Sequence, residues 1–296
     1  MTSFAPPLSY DRYFMSAEHE EGTLPAGDGT GLYWQSWRPD VTPKAVLLVV
    51  HGLKDHSQRY AAAAAELNAR GIVVAAFDLR GHGRSEGRRA WVTRFDQYLD
   101  DLDLVLRTMR QEYSSTPLFL LGHSMGGAIV TRFVIERHPS VTGLVLSAPA
   151  LQPAANVSRV AIGLTKLLSA IAPGAAVFRT PNPDFSRDPA VVAAMDQDPL
   201  IYQKAAPART AAELLRAMER IRTSRSQLTI PFLVLHGTDD RLTNPAGSQA
   251  LRDGAASTDK TLHLYPGLYH DLLHEPEHAT VLGDLVGWLE ARIPVA

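Results

Sequence analysis

Short apolar runs rich in β-branched residues alternate along this chain with longer stretches whose apolar positions recur every three to four residues. Residues 45–50, 72–77, 117–121, 143–147, 232–235 and 261–265 are runs of the first kind and predict strands. Most are apolar at successive positions, the signature of a strand covered on both faces, and that points to a parallel sheet. Residues 60–69, 95–112, 128–137, 248–254 and 277–292 carry the helical spacing between them. Such alternation predicts an α/β fold, a mostly parallel sheet flanked by helices. Ahead of it, residues 18–24 and 32–37 flank Gly27-Asp28-Gly29, which predicts an antiparallel hairpin at the sheet edge.

The rhythm breaks between residues 151 and 226, which hold seven of the 20 prolines and no strand pattern. Short helices joined by loops are expected there. The chain therefore divides into a first core part (1–150), a helical cap inserted over the active site (151–226) and a second core part (227–296). Within the cap, residues 157–172 set Val160, Leu164, Leu167, Leu168 and Ile171 on one broad apolar face. The expectation is that this face packs onto the core and lines a pocket; the alternative is that part of it rests on a lipid surface.

Four chemically interesting segments each follow a strand. His51-Gly52 follows residues 45–50, and Gly122-His123-Ser124-Met125-Gly126 follows 117–121. Asp240 follows 232–235, and His270 follows 261–265. In open α/β sheets ligands bind beyond the carboxyl ends of the strands, so these segments should meet at one edge. The G-x-S-x-G string between a strand and a helix reads as a nucleophile elbow, with Ser124 exposed on a sharp turn. Two acids compete for the third role. Asp240 lies further past its strand than Asp239, where it can turn back towards His270, whereas Asp239 suits a turn residue bonded within its own loop. Asp271 adjoins His270, and neighbouring side chains rarely face each other. His51, His82 and His123 are expected to be structural, bonded to loop backbone.

The balance of 29 basic and 31 acidic residues gives a net charge of −2 and argues against a nucleic-acid partner. The lack of cysteine rules out disulfides, thiolate metal sites and a cysteine nucleophile. Gly81-x-Gly83 lacks the spacing of a dinucleotide site, and Pro276 breaks the helical spacing of His270, His274 and His278. No cofactor and no metal is expected. Residues 1–13 carry neither a basic nor an apolar leader region, and no run approaches the roughly 20 apolar residues of a spanning helix. The expectation is a soluble chain, cytoplasmic or peripherally membrane-associated.

Longer strings narrow the reading. His51-Gly52-Leu53-Lys54-Asp55-His56-Ser57-Gln58-Arg59-Tyr60, Gly81-His82-Gly83-Arg84-Ser85-Glu86-Gly87 and Gly122-His123-Ser124-Met125-Gly126-Gly127 resemble blocks of the monoacylglycerol lipases of the α/β-hydrolase superfamily. So do residues 237–242 and 265–270, together with Ser186-Arg187-Asp188 and Asp198-Pro199-Leu200 in the cap. The order Ser, Asp, His is also that of α/β-hydrolases. The resemblance implies a serine hydrolase acting on long-chain monoacylglycerols, with Ser124, Asp240 and His270 as triad; the alternatives are a lysophospholipase or broader carboxylesterase with the same triad, and a ligand-binding protein on a hydrolase scaffold. It further implies an oxyanion hole from the N–H groups of Leu53 and Met125. Asp55, Arg59 and His274 are implied at the glycerol end, with Asp55 one methylene shorter than the family's glutamate. The implied partner is a small-molecule lipid ester; peripheral contact of the cap with lipid stays the alternative reading of residues 157–172.

Overall fold

The computed structural model describes residues 18–294; the segment 1–13 discussed above lies outside the described residues. Ten strands are present among them: β1 (Glu18–Pro25), β2 (Gly31–Arg38), β3 (Ala45–Val50), β4 (Ile72–Phe77), β5 (Leu118–His123), β6 (Gly143–Ser147), β7 (Ala176–Phe178), β8 (Ala206–Pro207), β9 (Phe232–Gly237) and β10 (Lys260–Tyr265). Eight of them form one sheet in the order β1-β2-β4-β3-β5-β6-β9-β10. The hairpin β1–β2 pairs antiparallel and joins β4 antiparallel, while β4, β3, β5, β6, β9 and β10 run parallel.

Every residue of β3, β4, β5, β6 and β9 is buried, so the strands are apolar without alternation. The period-two geometry still sorts side chains to two faces. Val46, Leu48 and Val50 join a core with Tyr98, Leu102, Phe133 and Ile221, while Ala45, Leu47 and Val49 join one with Ala64, Leu67, Leu285 and Trp288. The first face is covered by α2 (Asp96–Glu112), α3 (Met125–Arg137) and α6 (Ala208–Ser224), the second by α1 (Ala61–Asn68) and α8 (His278–Glu290).

Between β6 and β9 lie α4 (Arg159–Ile171), α5 (Pro189–Gln197) and α6, with β7 and β8 paired as a separate antiparallel ribbon. That ribbon corrects the expectation of a strand-free insertion. Three and two residues are too short to show a period, and Pro207 sits in one of them. Further boundaries move. β5 runs on to His123 because Gly122 and His123 still pair with Leu146 and Ser147, and α3 starts at once after Ser124. The α7 helix (Pro245–Gly254) begins three residues earlier than its apolar spacing, on a proline at its first position and an Asn244 cap to the Ala246 N–H at 3.0 Å.

The apolar face of α4 turns the other way from the expected one. Val160 is 80% exposed, Leu164 53%, Leu167 56% and Ile171 71%. Ser169 is the buried residue of α4, Leu168 is half-buried, and Ala161, Ile162 and Thr165 border a cavity from a neighbouring stripe of the helix. Small and β-branched residues there leave room for a cavity, and Leu164 and Leu167 stay outside.

Candidate active site

The strand-to-helix bend lies at Ser124, with φ 54° and ψ −119°. A serine in that conformation costs about 1–3 kcal/mol, so the surroundings must enforce it. They do so by close approach. A Cβ on Gly122 would lie 2.5 Å from the Gly126 carbonyl oxygen, and one on Gly126 would lie 2.0 Å from that of Val50. Only glycine lets strand, turn and helix pack so tightly. The Ser124 N–H donates to the Ser147 carbonyl at 3.0 Å, which ties the turn to β6.

Asp240 is held by five donors. Its Oδ1 accepts from the N–H groups of Leu242 at 2.7 Å and Thr243 at 3.0 Å. Its Oδ2 accepts from the Thr243 hydroxyl at 2.7 Å, His270 Nδ1 at 2.8 Å and His236 Nε2 at 3.1 Å. Burial would raise this carboxyl, but the facing His270 and the hydrogen bonds from His236 and His270 outweigh burial and hold it well below the usual carboxylate range. Asp239, by contrast, is exposed and accepts from the Thr238 hydroxyl at 2.9 Å, a turn role. His236 was not singled out by its sequence context. Its Nδ1 faces the Ser248 hydroxyl at 2.7 Å, which as donor leaves Nε2–H for Asp240. Burial pushes this imidazole down, in keeping with a neutral ring. The one signal available was a histidine at a strand end four residues before the acid.

With Nδ1 turned to Asp240, the other ring nitrogen of His270 is buried without a hydrogen-bond partner among the described residues. His270 and Ser124 border the same cavity of about 390 Å³, together with Leu53 and Met125. Met125 is the first residue of α3, so its N–H has no intrahelical acceptor. The remaining walls are mostly apolar and include Val157, Ile162, Phe178, Leu214, Leu215 and Met218, many of them from the insertion. His51, His82 and His123 each hydrogen-bond a backbone carbonyl, of Gly52, Arg80 and Ser147 respectively. Burial pushes His82 down to about 3 and His123 down to about 4, so both rings are neutral.

A profile of the family described as serine aminopeptidase, S33, matches residues 41–277. The chain is 35% identical over 279 residues to the monoacylglycerol lipase of Mycolicibacterium smegmatis, spanning 94% of this chain and 100% of that one. Human monoglyceride lipase is 35% identical over 272 residues, 91% of this chain and 90% of the relative. The crystal structure of Paleococcus ferrophilus monoacylglycerol lipase shares 31% identity with a TM-score of 0.79, covering 88% of this chain and 99% of the other. The chain belongs to the monoacylglycerol lipase family.

The residues that this family resemblance assigned to the glycerol end sit elsewhere than on the cavity wall. Asp55 and Arg59 are 3% and 2% exposed and paired at 3.0 Å, and Arg59 also pairs with Asp271. His274 Nδ1 lies 2.8 Å from Asp271 Oδ1, and its Nε2 lies 2.9 Å from the Arg59 carbonyl oxygen. None of the three lines the cavity of Ser124 and His270. They meet as one network, buried at Asp55, Arg59 and Asp271 and half-buried at His274, joined through Asp271, the residue after His270. The Arg59 guanidinium is engaged by two carboxylates.

This network gives an acid-stability expectation. Burial would raise the Asp55 carboxyl, yet the charges of Arg59, His51 and His56 bring it down to about 2, from an ordinary value of 3.8. A folded value below the unfolded one stabilises fully above pH 3.8 and loses that contribution as pH falls through 2. The shift corresponds to about 2 kcal/mol. Urea unfolding at pH 5 and pH 2.5 should show the loss in the wild type and a shallower one in Asp55→Asn. An equal decline in both would remove Asp55 as its source.

Proposed function

We propose that this protein hydrolyses long-chain monoacylglycerols to a fatty acid and glycerol through an acyl-enzyme on Ser124. The observation that carries this reading is the meeting of Ser124 and the unpartnered Nε2 of His270 in one largely apolar cavity. Its volume of about 390 Å³ is in the range of small-molecule sites, and its walls suit an acyl chain. The Mycolicibacterium smegmatis and human relatives are named as monoacylglycerol and monoglyceride lipases, with no chain length in the name.

The chemistry follows from the geometry. His270 Nε2 accepts the Ser124 proton as Oγ attacks the ester carbonyl, and Asp240 fixes the tautomer and stabilises the imidazolium. The N–H groups of Leu53 and Met125 stabilise the oxyanion, a donor of this kind being worth about 3–4 kcal/mol. His270 then protonates the departing glycerol oxygen. Water enters, loses a proton to His270 and attacks the acyl-enzyme; the bond to Ser124 Oγ breaks, His270 returns the proton to Oγ, and the fatty acid leaves. Arg59 and His274 hold the Asp271 carboxylate, next in sequence to His270, and Asp55 holds Arg59.

The test is fatty-acid release by the purified protein from 1- and 2-oleoylglycerol, oleoyl lysophosphatidylcholine, a diacylglycerol and a short p-nitrophenyl ester. Preference for the oleoylglycerols is expected. Turnover of the short ester alone would discard the lipid assignment.

The outward apolar face of α4 adds a second part to this reading. Among the described residues no helix is long and apolar enough to cross a membrane. Val160, Leu164, Leu167 and Ile171 instead present a patch beside the cavity that suits shallow insertion among lipids. Leu164→Ser/Leu167→Ser should weaken co-sedimentation with phosphatidylcholine vesicles several-fold and slow hydrolysis of vesicle-borne oleoylglycerol, with turnover of a short soluble ester retained. Unchanged co-sedimentation would remove the patch from any lipid contact.

A further inference from the structure

Lys54 follows Leu53, one of the two oxyanion donors proposed above, and its backbone lies in the left-handed region at φ 65°. Glycine is the residue that adopts this conformation without strain. The lysine side chain is not spread over the surface; the residue is 4% exposed. Its Nζ donates to Asn182 Oδ1 at 2.6 Å and to the Thr180 carbonyl at 3.1 Å, and lies 5.5 Å from the centre of the Phe185 ring. All three belong to the insertion.

The same loop is fastened to a second part of the insertion. The Lys54 carbonyl accepts from the Tyr202 N–H at 3.0 Å, and His56 Nε2 lies 2.8 Å from Asp198 Oδ2. Phe185 carries the connection to the base. Its ring stands edge-on to the His270 imidazole with centres 5.4 Å apart, and its carbonyl accepts from the Asp271 N–H at 2.7 Å. An ammonium withdrawn from water is unfavourable unless its N–H groups find acceptors. Here both acceptors come from residues 180–182, so Lys54 is satisfied when that segment is seated on the oxyanion loop.

We propose that Lys54 is a positioning residue that couples the seating of the insertion to the placement of the Leu53 oxyanion donor. The clasp sets three things in register: the Leu53 N–H, the Phe185 ring on His270, and the Thr180 part of the cavity wall. The inference rests on the ester-hydrolase reading and deepens it. It implies that substrate bound under a fully seated insertion meets a formed oxyanion hole, and that a loosened insertion leaves binding largely intact while the chemical step slows.

A double-mutant cycle at Lys54 and Asn182 tests this, read as kcat and KM on 1-oleoylglycerol and as the rate of fluorophosphonate labelling of Ser124. Lys54→Met keeps the aliphatic stem and removes the ammonium. It should lower kcat and labelling about tenfold or more, since small misplacements of reacting groups are costly. KM should stay within about twofold. Lys54→Arg should restore most of the loss. Asn182→Ala should resemble Lys54→Met, and the double variant should be no worse than the poorer single, as for two ends of one contact. Wild-type kcat in Lys54→Met, a loss confined to KM, or additive losses in the double variant would overturn the proposal. If Lys54→Met does not fold, Asn182→Ala with wild-type kcat overturns it alone. A wild type that is labelled but spares oleoylglycerol fails the substrate reading, and the labelling rates still decide the clasp. A wild type that is not labelled fails the hydrolase reading, and the clasp falls with it.

Discussion

Ser124→Ala lowers turnover of a monoacylglycerol by on the order of 10⁶ and leaves the fold intact, by analogy with removal of other activated serines. The size of the effect comes from what the substitution deletes. Oγ is the atom proposed to form the acyl bond, and no neighbouring group can substitute: His123 is a neutral ring bonded to the Ser147 carbonyl, and the protein has no cysteine. The fold should survive because the turn is enforced by backbone contacts. The Ser124 N–H to the Ser147 carbonyl and the glycine approaches at 122 and 126 do not involve the hydroxyl. Fatty-acid release by purified variant and wild type, with matched melting curves, provides the measurement. More than about 1% of wild-type turnover in Ser124→Ala would place the nucleophile elsewhere.

Asp240→Asn is expected to reduce kcat about 10⁴-fold, with KM little changed. The exchange is nearly isosteric, and Oδ1 can keep its bonds from the Leu242 and Thr243 N–H groups. The damage falls on the other atom. Oδ2 accepts from the Thr243 hydroxyl, His236 and His270, three donors that an amide NH2 would oppose. His270 would then turn a lone pair towards residue 240 and its proton towards Ser124, the wrong tautomer for a base. The imidazolium would also lose the buried carboxylate that stabilises it. Asp239→Asn is the control. That side chain is exposed and bonded within its own turn, so kcat should stay at the wild-type level. A loss below tenfold for Asp240→Asn, or a large loss for Asp239→Asn, would reverse the assignment of the acid.

Much of this arrangement is legible in the chain itself, for a definite reason. A strand covered on both faces must be apolar at nearly every position, so β3, β4, β5, β6 and β9 stand out as runs. A sharp strand-to-helix turn admits only glycine at its tightest contacts, so the elbow is spelled in its flanks. Parallel order puts Ser124, Asp240 and His270 at one sheet edge before any coordinates are known. Local pattern ends there, because it records whether a residue prefers water and not which partner it meets. The apolar stripe of α4 was readable and its direction was not, since packing of α6 and the small residues of α4 decided which stripe faces inward. Asp55, Arg59 and Asp271 are charged in the sequence, yet all three are buried against one another across more than 200 residues of chain. The third donor side chain to Asp240, from His236, and the lysine that joins the Leu53 loop to the insertion depend likewise on segments that meet only in the folded state. Apolar burial follows from composition over a few residues, whereas a buried charge is tolerable only beside its partner, and the tertiary structure alone supplies the partner.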